Sequence, residues 1–69
     1  MPKKSKTQEI REEFNRNMEI ARKENPIPEE RTGIFMELLY NMLRKKRSTA
    51  PSVDECRALV KEALESPLE

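Results

Sequence analysis

The order of apolar and polar positions along the chain predicts three amphipathic helices. In the first, apolar side chains recur every three or four residues on one narrow face, which consists of Ile10, Phe14, Met18 and Ala21. Thr7 is the candidate N-cap, because its hydroxyl can accept a hydrogen bond from the first turn. Pro26 and Pro28 forbid continuation of the helix. The pattern therefore predicts a helix over residues 7–23, after a disordered basic arm over residues 1–6.

The second helix is predicted over residues 28–46 and is the most apolar of the three. Pro28 suits the first helical position, whereas Gly33 costs about 1 kcal/mol inside a helix, so a later start with Thr32 as the cap is the alternative. Gly33 either allows another backbone to approach closely or is simply tolerated. The apolar side chains of residues 34–43 cover about 240° of a helical wheel. Because so wide an apolar surface needs cover on more than one side, we expect this helix to be the central one.

The third helix has the clearest local signal in the chain. Ser52 and Glu55 form the S-x-x-E pattern of a capping box, directly after Pro51. Apolar side chains then share a face about 140° wide, formed by Val53, Cys56, Leu59, Val60, Ala63 and Leu64. Ser66 and a following proline end the pattern. These signals predict a helix over residues 52–65.

Together these elements predict an all-α fold. No segment alternates apolar and polar residues as a half-buried strand does, and no Asn-Gly or Asp-Gly hairpin turn occurs. Three helices with short connections favour an antiparallel bundle. We expect one domain over residues 7–66, with a tail over residues 67–69.

Composition excludes most catalytic chemistry. The chain has no histidine, the commonest general base and metal ligand, and its one glycine cannot form a glycine-rich phosphate loop. The single cysteine, Cys56, cannot form an intramolecular disulfide or a cysteine-rich zinc site. We therefore expect no enzymatic activity, no cofactor, no metal site and no small-molecule substrate.

The sequence also favours a soluble protein of a reducing compartment. No apolar segment reaches the length of about 18 residues that a membrane span needs, and none follows the basic N-terminus as in a secretory signal. The absence of a cysteine pair fits the cytoplasm, or the nucleus if the source is eukaryotic.

The net charge of +1 conceals a division along the chain. Residues 1–47 carry twelve basic and eight acidic side chains, whereas residues 48–69 carry two basic and five acidic ones. Most of the excess of basic over acidic residues in the first segment lies in two clusters. Together they form the predicted basic patch: Lys3, Lys4, Lys6, Arg44, Lys45, Lys46 and Arg47. The second cluster either neutralises the negative end of a helix dipole or binds phosphate groups or an acidic partner.

A second candidate surface lies on the predicted second helix. With 35% hydrophobic residues and neither disulfide nor metal, the core is thin, and oligomerisation or a partner is the usual remedy. We expect a partner or homodimer surface formed by Phe35, Met36, Leu39 and Leu43. The alternative is that helices one and three already cover these side chains. Three methionines, Met18, Met36 and Met42, either fill the core, which we favour, or form an adaptable recognition groove.

The sequence favours a small, non-catalytic helical protein that regulates or completes a larger protein partner. The alternative is a dimeric nucleic-acid-binding protein that contacts phosphates through its basic clusters without reading sequence. The acidic third helix excludes a groove-reading role in a helix-turn-helix.

Overall fold

The computed structural model describes residues 4–45 and 49–68 and has three α-helices. Helix α1 spans Lys6–Glu24, α2 spans Thr32–Lys45 and α3 spans Val53–Glu65. A short 3-10 turn, Glu29–Arg31, leads into α2. The described residues contain no strand, so the prediction of an all-α three-helix bundle is confirmed.

The N-terminal caps agree with the sequence for α3 and correct it for α1. The Ser52 hydroxyl accepts a hydrogen bond from the Glu55 amide at 3.2 Å, and the Glu55 carboxylate accepts one from the Ser52 amide, which completes the predicted capping box. In α1 the cap is Ser5, whose hydroxyl accepts from the Gln8 amide at 3.2 Å. Thr7 instead lies inside the first turn, because the Ser5 hydroxyl, two residues upstream, already accepts from the Gln8 amide.

The second α-helix starts where the alternative prediction placed it, but Thr32 is itself helical and is not an N-cap. Pro28 begins the 3-10 turn, and its carbonyl accepts a hydrogen bond from the Arg31 amide at 2.9 Å. The α-helical pattern starts at Thr32, whose hydroxyl donates to the Pro28 carbonyl at 3.4 Å. A Cβ at Gly33 would meet open space, so no close backbone approach requires this glycine.

Helix α3, and not α2, occupies the centre of the bundle, which corrects the expectation from the sequence. It packs against both other helices. Among the described residues, α3 supplies half of the buried core, α1 contributes three side chains and α2 only Phe35; the core consists of Phe14, Met18, Ala21, Phe35, Cys56, Leu59, Val60 and Ala63. The small side chains of Cys56 and Ala63 are fully buried, and they let the neighbouring helices approach closely. The wide apolar surface of α2 therefore remains partly uncovered.

Helices α1 and α3 run parallel but are staggered along their axes. Asn17, in the middle of α1, donates to the carbonyl of Pro51, just before α3, at 2.6 Å. At the end of α1, the Glu24 carboxylate accepts a hydrogen bond from Nη2 of Arg57 in α3 at 3.0 Å, and Arg57 Nε lies 2.9 Å from its other oxygen in the same ion pair. The stagger explains a molecule 46 Å long and 23 Å wide, although α1 itself measures only about 28 Å.

The far end of α3 is held by Arg31. Its guanidinium donates to the carbonyls of Ala63 and Ser66, which the helix itself leaves without partners. This contact joins the 3-10 turn to α3 and fixes the direction in which α2 leaves. None of the helices in the described part of the chain combines the length and apolar character needed to span a bilayer.

Candidate protein-binding groove

A groove lies between α1 and α2, because both helices rest on α3 and run antiparallel to each other. Its first section is lined by Met18, Glu19 and Arg22 of α1 and by Phe35 and Met36 of α2. Its second section, nearer the start of α1, also uses the residues Thr7, Ile10, Arg11, Leu43, Thr49 and Pro51. Phe14, Asn15 and Leu39 line both sections, so the two form one continuous groove.

The groove has the dimensions of a helix-binding site. Along α1 it extends from Thr7 to Lys23, a distance of about 24 Å at the rise of an α-helix. Its two sections enclose about 670 and 490 Å³ and open to solvent along their length. So open a shape would leave much of a small molecule in contact with solvent, whereas small-molecule sites bury most of the ligand surface.

One wall of the groove is an apolar stripe on α2. Met36, Leu39 and Leu43 line the groove, and Tyr40 continues the stripe outward; their spacing places all four on one side of the helix. Met36 is 55% exposed, Leu43 46% and Tyr40 61%, which is unusual for a protein with so few apolar residues. Of the four side chains predicted to form a partner surface, the structure thus leaves Met36 and Leu43 exposed, whereas Leu39 is half-buried against the core.

Phe35 departs from that prediction. Its ring is only 6% exposed and belongs to the core, where it meets side chains of α1 and α3. It lies one helical turn before Leu39, on the side of α2 that faces the core. Its ring therefore forms part of the groove floor and leaves little surface for contact with a partner. Met18 is buried in the same floor, Met36 is exposed in the wall, and Met42 packs against the core outside the groove.

The opposite wall, on α1, carries an excess of positive charge. Arg11, Arg22 and Lys23 line the groove together with one acid, Glu19. Among the described residues, none of the three cations lies within salt-bridge distance of a carboxylate. The ion pairs among residues 4–45 and 49–68 join Lys4 to Glu12 and Arg57 to acids of α1 and α3. The cations of the groove therefore remain available to a ligand.

The predicted basic patch is only partly brought together. Lys3, Lys46 and Arg47 lie outside the described residues. The antiparallel arrangement of α1 and α2 places Lys6, now in the first turn of α1, at the same end of the bundle as Arg44 and Lys45. Lys4 pairs with Glu12 at 2.8 Å, and Arg44 stacks over the Tyr40 ring, 5.7 Å from its centroid.

The buried Cys56 offers no reactive site. Burial, and then the neighbouring Glu55 carboxylate, raise the pKa of its thiol, so the thiol stays protonated at neutral pH. In the part of the chain that the structure describes, no three acidic or cysteine side chains converge as metal ligands would.

The groove residues of α1 were not predicted from the sequence. Arg11, Asn15, Glu19 and Arg22 occupy the polar side of an amphipathic helix, where solvated charges are ordinary. They become part of a site only because α2 lies beside them. Ile27, between the two prolines, packs against the core and lines the groove.

Comparison with protein-family models, curated protein sequences and solved structures finds no significant match to this chain. Its function is therefore inferred from the geometry and chemistry of the described residues.

Proposed function

We propose that this is a non-catalytic interaction protein that binds a segment of a larger protein in the groove between α1 and α2. The observation that supports the proposal is the stripe of exposed Met36, Tyr40 and Leu43, with the half-buried Leu39 among them, beside an apolar floor. Exposed apolar surface of this kind, bordered by polar side chains, is typical of protein-binding sites. The flexible thioethers of Met18 and Met36 allow the groove to adapt to the side chains of a partner.

The nucleic-acid alternative has weaker support. Lys6, Arg44 and Lys45 share one end of the bundle, as phosphate binding would require. However, Lys4 is paired with an acid and Arg44 is stacked on Tyr40, so both charges are already engaged. Phosphate binding gives no reason for the exposed apolar stripe, whereas protein binding does.

The experiment uses a matched pair of variants, Leu43→Glu and Ile20→Glu. Leu43 lies in the groove and is 46% exposed, whereas Ile20 lies on α1 outside the groove and is 43% exposed. A photoreactive phenylalanine at Met36 is used to identify a crosslinked partner in the native host. The purified partner is then titrated against the wild-type chain and both variants, after circular dichroism has confirmed that each is helical.

We expect Leu43→Glu to weaken binding at least about a hundredfold, because it places a charge in the apolar wall of the groove, and Ile20→Glu to leave binding unchanged. Equal effects of the two variants would contradict the assignment of the groove. Binding of RNA or DNA that is lost in Arg44→Glu but kept in Leu43→Glu would favour the nucleic-acid alternative.

A further inference from the structure

From the charge of its walls, we infer that the groove selects an acidic amphipathic helix of about four turns. This inference rests on the proposed function and specifies the class of partner. Two antiparallel helices with a groove between them present the surface on which a further helix completes a four-helix arrangement. The groove length of about 24 Å corresponds to about 16 helical residues.

The charge of the groove walls indicates an acidic partner. The charged side chains that line the groove are Arg11, Arg22, Lys23 and Glu19, an excess of two positive charges. None of these cations is paired with a carboxylate among the described residues. A helix with an apolar face bordered by Glu or Asp would supply the missing carboxylates.

The positions of the two arginines also define where the acids belong. Arg11 and Arg22 are three turns apart, about 16 Å along α1. A partner helix that lies along the groove must therefore carry acidic side chains about three turns apart on the edge that faces α1. Its apolar face meets the stripe on α2.

The same charges disfavour a second copy of this chain in the groove. A symmetric dimer through this face would use the same surface on both copies and bring two cationic walls together. Helix α3 of a second copy is acidic, but its apolar side chains are buried in its own core and cannot enter a groove. The expected homodimer is therefore the less favoured occupant, and it becomes an outcome of the test.

The test uses two designed helical peptides of about 18 residues with the same apolar face and with either Glu or Lys along its borders. Binding of each to the full chain is measured by fluorescence anisotropy at low and at physiological salt. We expect the Glu peptide to bind about tenfold more tightly, because each exposed ion pair contributes a factor of about two to five. Its affinity falls as salt increases, because salt screens the charges.

Charge-reversal variants show which cations produce the preference for the Glu peptide. Arg11→Glu combined with Arg22→Glu should reverse the preference between the two peptides. Arg16→Glu combined with Lys61→Glu changes the net charge equally at exposed positions that do not line the groove, and it should keep the preference.

Failure of the inference is distinguishable from failure of the proposed function. Equal binding of both peptides, abolished by Leu43→Glu, would overturn acidic selection and leave the groove as a protein-binding site. A preference for the Lys peptide, or no binding of either peptide while the purified partner binds, would also overturn it. A dimer in sedimentation experiments that Leu43→Glu dissociates would assign the groove to a second copy.

Discussion

Leu43 and Leu59 show how one residue type serves two purposes in this molecule. Leu59, on α3, is 5% exposed and touches the core, whereas Leu43, on α2, is 46% exposed beside the groove. Burial of a leucine stabilises the fold, whereas an exposed leucine contributes little until a partner covers it. The wide apolar arc of α2 is thus divided between a core side, which carries Phe35, and an exposed side beside the groove.

Substitution of Leu59 and Leu43 by alanine distinguishes a leucine of the core from an exposed one by its effect on stability. We expect Leu59→Ala to lower the free energy of unfolding by about 2–4 kcal/mol, because it leaves a cavity in the core. Leu43→Ala should lower it by less than about 0.5 kcal/mol. Chemical denaturation followed by circular dichroism measures both. Equal losses for the two variants would show that Leu43 is part of the core and would contradict the groove.

The Cys56 thiol should resist modification in the folded protein. It is fully buried, and its raised pKa keeps it protonated. We expect a thiol-reactive disulfide reagent to label it at least about a hundredfold more slowly than in denaturant, because labelling requires opening of the bundle. Labelling at the rate of the unfolded chain would contradict the burial of this residue. Cys56 is the only cysteine, so no second thiol complicates the measurement.

The same thiol predicts a pH dependence of stability. Because burial raises the pKa of Cys56 in the folded state, its contribution to stability is complete below the pKa of the unfolded thiol and declines as pH rises through the higher pKa of the folded one. Cys56→Ala should remove this decline. An equally steep decline in the alanine variant would show that other groups cause the loss of stability at high pH.

Among the elements, α2 starts less favourably than α3. A capping box stabilises the start of α3, whereas α2 begins after a 3-10 turn and has a glycine as its second residue. Gly33 has no positive φ angle, and nothing lies where its Cβ would be. Its conformational freedom is therefore not required by the fold.

Gly33→Ala should stabilise the protein by about 0.5–1 kcal/mol, since alanine restricts the unfolded chain and favours the helix. Ala58→Gly, at an exposed position inside α3, is the reciprocal control and should destabilise by a similar amount. Thermal unfolding measures both. A loss of stability in Gly33→Ala would reveal a requirement for glycine that the structure does not contain.

The helices themselves could be predicted from the sequence, because their signals are local. Apolar spacing, the prolines at 26 and 28 and the capping box at Ser52 each act within one or two turns of the chain. The cap of α1 was misplaced from Ser5 to Thr7 because two hydroxyls stand close together and either can accept from the first turn. Such errors move a boundary but do not change the fold.

At the scale of the whole molecule, the arrangement of the helices could not be read from their separate patterns. The apolar arc of α2 is the widest, yet α3 is central, because small side chains such as Cys56 and Ala63 permit close packing on two sides. The width of an arc gives the amount of apolar surface but not what covers it. Met36, Leu39 and Leu43 of the stripe were identified from the sequence, whereas Tyr40 was not, and the cationic wall on α1 required the antiparallel pairing with α2.

Binding of a helical segment in the groove between α1 and α2 can be observed directly through three methionines. Met18 and Met36 line the groove, and Met42 packs against the core outside it. Their methyl resonances, labelled with carbon-13, are followed by NMR while the Glu-bordered peptide is added. We predict that the signals of Met36 and Met18 shift with a common saturation curve and that the Met42 signal does not shift. A shift of Met42 alone, or no shift of Met36 at saturation, would contradict binding in the groove.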